Sequence, residues 1–412
     1  MKVLSRGLLL LAILLAGCAP VPPVFVPPTP AALQPSSTST LASSATLTPA
    51  APTPNPTPTL QPSPTPIVTS AAPSDLAAAA QIDAYLASLT TQGLFNGSVL
   101  VARAGRVLLV QGYGQADRAQ GISNTPGTQF RLASITKQFT AASILMLQAR
   151  ARLNVQDPIC HYIAPCPAAW QAITIHQVLS HTSGLPDYMA QTDYPRLEAT
   201  PAAPGQIMAR LSDLPLDFTP GRAWNYSNTG YIVLGEIIEK VSGQSYADFL
   251  EQNIFRPLEM SASGYDSGDN RTGVSALALG YRNQFASSFV PAPAGLFADG
   301  GLYSTVEDLY RWDQALYTHK LLPQDLLDAM FTPYAAVPVT GGPSTSSYGY
   351  GWFIGKNNGR RAVWHPGAID GVATIILRYP DDHAVVILLS NQENTRVVQI
   401  ASEAAAILFG GN

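Results

Sequence analysis

The chain has 412 residues, enough for two domains or for one large core with an insertion. Only 12% of the residues are charged and the net charge is −4, with no basic patch or charge run, which argues against nucleic acid as the main partner. The hydrophobic fraction of 46% suits a globular enzyme.

Residues 1–17 predict a secretory signal peptide, because Lys2 and Arg6 precede an apolar run that is too short to span a bilayer. The sequence LAGC, which ends at Cys18, resembles the bacterial lipobox, in which the cysteine becomes the acylated first residue of the mature chain. A plain signal peptide with an incidental cysteine is the alternative. The lipobox implies an exported, extracytoplasmic protein that lipid on Cys18 anchors to a membrane.

Residues 18–74 predict a disordered tether. Pro, Thr, Ser and Ala dominate this segment, which cannot bury enough apolar surface to offset the entropy lost on ordering. We expect it to hold the folded domain away from the membrane, where a cell wall is a further candidate partner.

Residues 75–412 are expected to form the folded domain. A helix cap signal at Ser74 precedes it, and two β-rich runs divided at Ala104–Gly105 predict a hairpin. A second hairpin is predicted around residues 380–383, followed by a final helix over 396–408. The chain between the hairpins is mostly helical in pattern, with helices predicted at 134–152, 229–242, 246–253 and after Ser304, which has capping-box spacing to Glu307.

Strands near both ends of the domain, around a helical middle, predict an α/β protein of the α+β type. The expected architecture is an antiparallel sheet of five or more strands that is flanked by helices. An all-helical lobe is expected as an insertion at about residues 131–290.

Cys160 and Cys166 are the cysteines that remain after Cys18. An exported protein meets an oxidising compartment, so a short-loop disulfide is one interpretation. Two reduced thiols are another. A metal site would need ligands beyond the nearby His161, and the sequence contains no HExxH or paired CxxC spacing.

Ser134 and Lys137 form the first candidate catalytic pair. Lys137 is one of five lysines in the chain, and positions i and i+3 lie on the same face of a helix. A serine hydroxyl becomes a nucleophile when a base takes its proton, and a lysine can serve if burial keeps its amine partly neutral. By itself Ser-x-x-Lys is a weak signal, and a surface lysine one turn along the helix is the alternative.

Two later motifs strengthen this interpretation. Tyr226 and Asn228 stand just before a helix, where a phenol can move protons and a carboxamide can orient a substrate amide. His365 and Gly367 lie on a predicted strand, where glycine allows a substrate backbone to approach and the N–H of Ala368 can donate to an oxyanion. The alternatives are an N-cap role for Asn228 and a structural role for His365.

The three motifs in this order, SxxK, YxN and HxG, resemble those of the penicillin-recognising serine hydrolases. The similarity is to the branch that holds class C β-lactamases, D-alanyl-D-alanine carboxypeptidases, D-aminopeptidases and related esterases, and it covers about residues 80–408. The flanking sequences GYGQAD, LSHTSGLPDY and GGLYST agree with it. Within the second of them, His181 is interpreted as a structural turn residue.

The resemblance implies a mechanism for the matching residues. Ser134 would attack a carbonyl and form an acyl-enzyme, helped by an oxyanion hole that includes its own backbone N–H. Lys137 and Tyr226 would share the proton transfers, with Tyr226 as the base for attack at a pKa lowered by neighbouring donors. This mechanism needs no metal or organic cofactor.

The same resemblance assigns the substrate contacts. Asn228 would bind the amide side of the substrate, and Ala368 would supply the second oxyanion N–H, next to Gly367. His365 stands where relatives often have lysine, and it would polarise the tyrosine or steer a substrate carboxylate. Many relatives carry Thr or Ser where this chain has Pro366, which lacks a hydroxyl and an N–H. This difference weakens the case for efficient penicillin hydrolysis, and the substrate class stays open among esters, amides, D-amino-acid peptides and β-lactam-like compounds.

Two other functions compete with this prediction. A cell-wall-binding or penicillin-binding module of the same fold would work without turnover, but all three motifs are intact. An α/β-hydrolase would need a G-x-S-x-G elbow, which the chain lacks, and alternating βα units, which the pattern does not show. A serine hydrolase of the β-lactamase type is therefore the predicted function.

Overall fold

The computed structural model describes residues 72–194, 203–266, 277–286, 295–337 and 346–410. The predicted signal peptide, Cys18 and nearly all of the predicted tether lie outside the described residues. Within those ranges, no helix has the length and apolar character needed to cross a membrane.

Strands lie at both ends of the folded domain and helices dominate between them, as predicted. The α-helices of the described ranges are α1 Pro73–Thr91, α2 Thr136–Ala149, α3 Ile175–Leu179, α4 Pro204–Leu211, α5 Asn228–Ser242, α6 Tyr246–Leu250, α7 Val306–Ala315, α8 Gln324–Met330 and α9 Val397–Leu408. The strands are β1 Gly97–Arg103, β2 Arg106–Tyr113, β3 Gln115–Asp117, β4 Ile122–Ser123, β5 Phe130–Arg131, β6 Gly264–Tyr265, β7 Leu302–Ser304, β8 Ala335–Val337, β9 Ser346–Tyr348, β10 Phe353–Asn357, β11 Arg360–Ile369, β12 Val372–Tyr379 and β13 Ala384–Ser390.

The main sheet contains eight of the described strands, in the order β2-β1-β13-β12-β11-β10-β9-β8. Every neighbouring pair is antiparallel, and β13 from the end of the chain pairs with β1 from its beginning, with Gly97 opposite Ser390. The predicted α/β class with an antiparallel sheet of five or more strands is confirmed.

The central strands are buried on both faces, which explains their unbroken apolar sequences. In β13, Val385 and Ile387 pack into a core shared with the helical lobe. Val386 and Leu388 point the other way, into a second core that α1 and α9 cover. The sheet therefore separates two hydrophobic cores, and the lobe side carries the candidate site.

The turns follow the predicted chemistry. Ala104 and Gly105 both have positive φ, at 52° and 70°, as a tight hairpin turn with right-handed strand twist requires. Gly243 ends α5 in the left-handed conformation, with φ of 75°. The cap of α7 lies one residue later than expected, because the Thr305 side chain accepts from the N–H of Asp308 at 3.1 Å.

The lobe differs from the prediction in two details. It contains a three-stranded sheet in the order β5-β7-β6, and its helices continue through α8, beyond residue 290. Strands of two or three residues are too short to show an alternating pattern, so no sequence signal predicts this sheet. The structure also joins Cys160 to Cys166 in a disulfide, with Cα atoms 5.4 Å apart.

Candidate active site

Ser134 lies in a tight turn at the beginning of α2. Strand β5 leads into a 3-10 turn over Ala133–Ile135, and α2 follows directly. Ala133 has a φ of 49°, a left-handed conformation that residues with a β-carbon rarely adopt. Strained backbone of this kind is common at functional sites. The turn leaves Ser134 partly exposed between two fully buried neighbours.

Lys137 lies one helical turn after the serine and is completely buried. Its Nζ donates to Ser134 Oγ at 3.3 Å, to Asn228 Oδ1 at 2.7 Å and to the backbone oxygen of Asp299 at 2.8 Å. Burial lowers the pKa of Lys137 to about 8, while the charges of Asp299 and Asp187 act in the opposite direction. A buried amine of this pKa can take a proton from the serine hydroxyl near neutral pH.

Tyr226 lies over the amine. The Nζ of Lys137 is 4.8 Å from the centre of the Tyr226 ring, and the His181 ring lies 4.3 Å from it on centroids. Among the described residues, the buried Tyr226 hydroxyl has no partner in good hydrogen-bond geometry, although Ser134 lies close enough to favour its anion. Burial nevertheless raises the pKa of Tyr226 well above 10, opposite to the expected direction. The side chain is therefore a neutral phenol at neutral pH.

His365 is buried in β11 and is held at both ring nitrogens. Nδ1 lies 2.6 Å from the backbone oxygen of Pro366, and Nε2 lies 2.9 Å from the hydroxyl of Tyr348. A carbonyl can only accept, so Nδ1 carries the proton and Nε2 accepts from the tyrosine. Burial, with the nearby charge of Lys137, lowers the pKa of His365 to about 3. The ring lies 6.1 Å from that of Tyr226 but supplies no positive charge for a carboxylate.

Gly367 is required by the packing of the chain itself. A β-carbon at this position would lie 2.3 Å from the backbone oxygen of Leu132 and 2.4 Å from the hydroxyl of Thr374. The strand β11 thus touches the turn that carries Ser134, whereas the sequence suggested close approach of a substrate backbone. This contact brings the end of β11, including the exposed Ala368, into the cleft that Ser134 also lines.

Asn228 uses its whole amide inside the protein. Its Oδ1 accepts from Lys137, and its Nδ2 donates to Asp187 Oδ2 at 3.1 Å and to Met189 Sδ at 3.3 Å. The N-cap of α5 is Ser227, whose side chain accepts from the N–H of Gly230, so Asn228 is the first residue of the helix. The alternative N-cap role therefore falls to its neighbour.

These side chains surround one cleft of about 280 Å³. Lys137 lies beneath it, buried behind Ser134 and Asn228. The described residues that line the cleft are Ser134, Met189, Tyr226, Asn228, Leu296, Asp299, Gly300, Phe353, His365, Pro366, Gly367, Ala368 and Ile369. The structure thus brings together every residue that the sequence assigned to catalysis or substrate binding.

The comparison with known proteins agrees with this geometry. Residues 78–408 match the family model described as beta-lactamase, which is most of the chain. The chain belongs to the beta-lactamase family. Members of this family are hydrolases, and the matched range includes the serine, the lysine, the tyrosine and the histidine of the cleft.

Three beta-lactamase-family relatives illustrate the similarity. Penicillin-binding protein 4* of Bacillus subtilis (strain 168) is 34% identical over 337 residues, which cover 77% of this chain and 73% of that protein. The octameric penicillin-binding protein homologue from Pyrococcus abyssi is 28% identical, with a TM-score of 0.72 over 81% of this chain and 78% of that one. A D-stereospecific amidohydrolase from Streptomyces sp. is 26% identical, with a TM-score of 0.67 over 81% of this chain and 99% of that one.

Sequence reasoning missed several residues of this beta-lactamase-family site. Asp187 and Asp299 both act on Lys137, and Tyr348 binds His365. His181 has the positive φ of 58° expected of a turn residue, but its ring also packs on Tyr226. No spacing rule links these positions to Ser134. The sequence LSHTSGLPDY, which holds His181 and Asp187, was the one available signal.

Proposed function

We propose that the protein is a serine hydrolase that works through an acyl-enzyme on Ser134. The observation that carries this proposal is the buried amine of Lys137, 3.3 Å from the serine hydroxyl and with its pKa lowered to about 8. A lysine in this state is a base of suitable strength for a hydroxyl nucleophile.

The proposed acylation begins when the neutral amine of Lys137 takes the Ser134 proton as Oγ bonds to the substrate carbonyl carbon. The carbonyl oxygen becomes an oxyanion, for which the N–H groups of Ser134 and Ala368 are the proposed donors. As the tetrahedral intermediate collapses, the bond to the leaving group breaks. Tyr226 gives its phenol proton to that group and recovers one from the ammonium of Lys137.

Deacylation follows the same route with water in place of serine. The amine of Lys137, neutral again, draws a proton from water through the Tyr226 hydroxyl as the water oxygen attacks the ester carbon. The bond to Ser134 Oγ then breaks, and Oγ takes a proton back from the ammonium of Lys137, which becomes neutral again. Acid product and free enzyme result, so no atom or charge is left over.

The proposed substrates are esters and amides, with D-amino-acid amides among them. His365 is neutral, Pro366 offers no hydroxyl, and the described lining of the cleft includes no arginine and no exposed lysine. A substrate carboxylate beside the scissile bond would therefore meet no cation on the surface of the cleft, because the amine of Lys137 is buried behind Ser134 and Asn228. This favours substrates without such a carboxylate over penicillins and over peptides with a free C-terminus, and the similarity to a D-stereospecific amidohydrolase supports amides.

We also propose that the protein is exported and anchored through lipid on Cys18, with residues 18–74 as a tether toward a cell wall. The lipobox sequence and the composition of residues 18–74 support this proposal.

Intact-mass analysis tests the acyl-enzyme. The wild-type protein is exposed to activated esters, D-amino-acid amides and penicillins, and the acyl adduct is located by peptide mapping. We expect an adduct on Ser134 with esters or amides, and none in the Ser134→Ala variant. Absence of turnover and adduct with every substrate would contradict the hydrolase and favour a non-hydrolytic binding module of the same fold.

A further inference from the structure

The carboxylate of Asp187 accepts two hydrogen bonds from Asn228, one from its backbone and one from its side chain. We propose that Asp187 is a positioning residue that holds the Asn228 amide in the orientation that contacts Lys137. Asp187 Oδ1 accepts from the backbone N–H of Asn228, and Oδ2 accepts from its side-chain Nδ2, both at 3.1 Å. This inference rests on the proposed function, because it assigns Asp187 a part in the same proton transfer.

The two contacts determine which way the amide faces. A carboxylate can only accept, so Asn228 must turn its NH₂ group toward Asp187 and its oxygen toward Lys137. That oxygen lies 2.7 Å from Nζ. It therefore stabilises the ammonium that forms when Lys137 takes the serine proton. A flipped amide would present two N–H donors to the ammonium instead of an acceptor.

The segment that carries Asp187 is itself fixed to α5. The hydroxyl of Thr229 donates to the backbone oxygen of Pro186 at 2.7 Å and accepts from the N–H of Tyr188 at 2.9 Å. The described lining of the cleft includes Asn228 and Met189 but not Asp187. Asp187 therefore acts through Asn228 rather than on the substrate.

Asp187 also acts on Lys137 through its charge. Burial lowers the pKa of Lys137, and the negative charge of Asp187 opposes this effect, as does that of Asp299. Loss of the Asp187 charge therefore lowers the pKa of Lys137 further. The titratable groups that face the amine are the carboxyls of Asp187 and Asp299, the phenols of Tyr226 and Tyr231, and the imidazoles of His181 and His365.

The first test is the pH profile of kcat/KM for Asp187→Asn with an activated ester. We expect the plateau to fall by on the order of ten-fold, because an amide at 187 no longer dictates the orientation of Asn228. We also expect the acid limb to move to lower pH by roughly half a unit or more. A smaller folded fraction lowers the rate equally at every pH, so the apparent pKa of the acid limb does not depend on how much of the variant is folded. Asp187→Glu keeps the charge and should keep the limb of the wild type.

A matched control removes an exposed carboxylate that lies on α8. Asp328→Asn removes a charge but keeps an oxygen that can accept from Gln324 Nε2, and it should leave both plateau and limb unchanged. A purely structural role for Asp187 would lower the plateau without moving the limb, and that result would overturn the inference.

A double-mutant cycle provides the second test. If Asp187 acts through Asn228, the plateau kcat/KM above the acid limb, where the charge effect on the pKa of Lys137 no longer matters, is about as low in the Asp187→Ala, Asn228→Ala double variant as in Asn228→Ala alone. Multiplicative effects would overturn the inference while leaving the hydrolase intact. Turnover that survives in Ser134→Ala would instead overturn the proposed function, and this inference with it.

Discussion

Lys137 and Tyr226 are both buried at the candidate site, but burial shifts their pKa values in opposite directions. The charged form of lysine is a cation and that of tyrosine is an anion, and burial disfavours both. The pKa of Lys137 accordingly falls to about 8, and that of Tyr226 rises well above 10. At pH 7 about a tenth of the amine is neutral, whereas the phenolate is negligible. Lys137 is thus the better base, and Tyr226 is suited to pass protons on.

This assignment predicts a pH profile. We expect kcat/KM to rise with pH along a limb of apparent pKa about 8, because the amine must lose its proton before it can accept one from Ser134. Lys137→Arg, which stays charged at every accessible pH, should lose on the order of 10³-fold in kcat/KM. Initial rates across pH 5–10 check this, with Lys240→Arg at an exposed position on α5 as the control. Near wild-type activity in Lys137→Arg would contradict the assignment.

The sequence predicted residues that the structure brings to one cleft, but not the electrostatics of that cleft. Three-residue spacing on a helix brings Ser134 and Lys137 together whatever the rest of the fold. The burial that sets the pKa of Tyr226 comes from His181 and Tyr348, which reach it from distant parts of the chain. The contact of Asp187 with the site was not predictable for the same reason, because its partner Asn228 lies 41 positions away in the sequence.

At the scale of elements, the site depends on the contact between β11 and the turn before α2. The strand supplies His365 and Ala368, and the turn supplies Ser134. Gly367 allows the two to touch, and Thr374 on β12 donates to the backbone oxygen of Leu132 at 2.8 Å. The distance between Ala368, a proposed oxyanion donor, and Ser134, the proposed nucleophile, is therefore fixed by the packing of these elements.

Replacement of Gly367 by Ala should separate these two elements. The new β-carbon would overlap the Leu132 oxygen, so we expect a loss of about 1–3 kcal/mol in the free energy of unfolding. We expect a loss of activity in the folded fraction as well, because the strand moves away from Ser134. Urea unfolding and kcat measure the two effects. Gly205→Ala, in α4 with open space around it, is the matched control and should be neutral or slightly stabilising. Equal behaviour of the two variants would refute the packing argument.

Sequence patterns predicted the long elements and missed the short ones. Strands β12 and β13 contain seven or eight mostly apolar residues around a turn at Pro380, and α5 ends at a glycine. Both signals are local. The β5-β7-β6 sheet pairs Phe130 of β5 with Ser304 of β7, and its two shortest strands, β5 and β6, have two residues each, so nothing local marks it.

At the scale of the whole molecule, the main sheet separates two hydrophobic cores, of which one lies on the side of the cleft. The core shared with the lobe lies beneath the cleft and contains Phe139 and Tyr231. The opposite core, under α1 and α9, stabilises the sheet from behind. α1 follows the predicted tether in the sequence and packs on this opposite core, on the face of the sheet away from the cleft.

The proposed membrane anchor predicts that Cys18 carries a lipid. Expressed in a bacterium that processes lipoproteins, the wild-type protein should take up labelled palmitate and partition with membranes. Cys18→Ala should lose both the label and the membrane association while its folded domain keeps ester turnover. Label retained by Cys18→Ala, or an unacylated wild-type chain in the soluble fraction, would contradict the anchor.

Strand β13, from the end of the domain, pairs with β1 from its beginning. The main sheet therefore cannot be completed until the last strand of the domain has been synthesised. It lies between β1 and β12, so each of these strands has an unpaired edge until residues 384–390 have left the ribosome. Pairing of strands that are distant in sequence is slow, and the unpaired edges of β1 and β12 are prone to aggregation during this time. A chain truncated before Ala384 would carry every motif of the cleft and still lack the strand that closes the sheet beneath it.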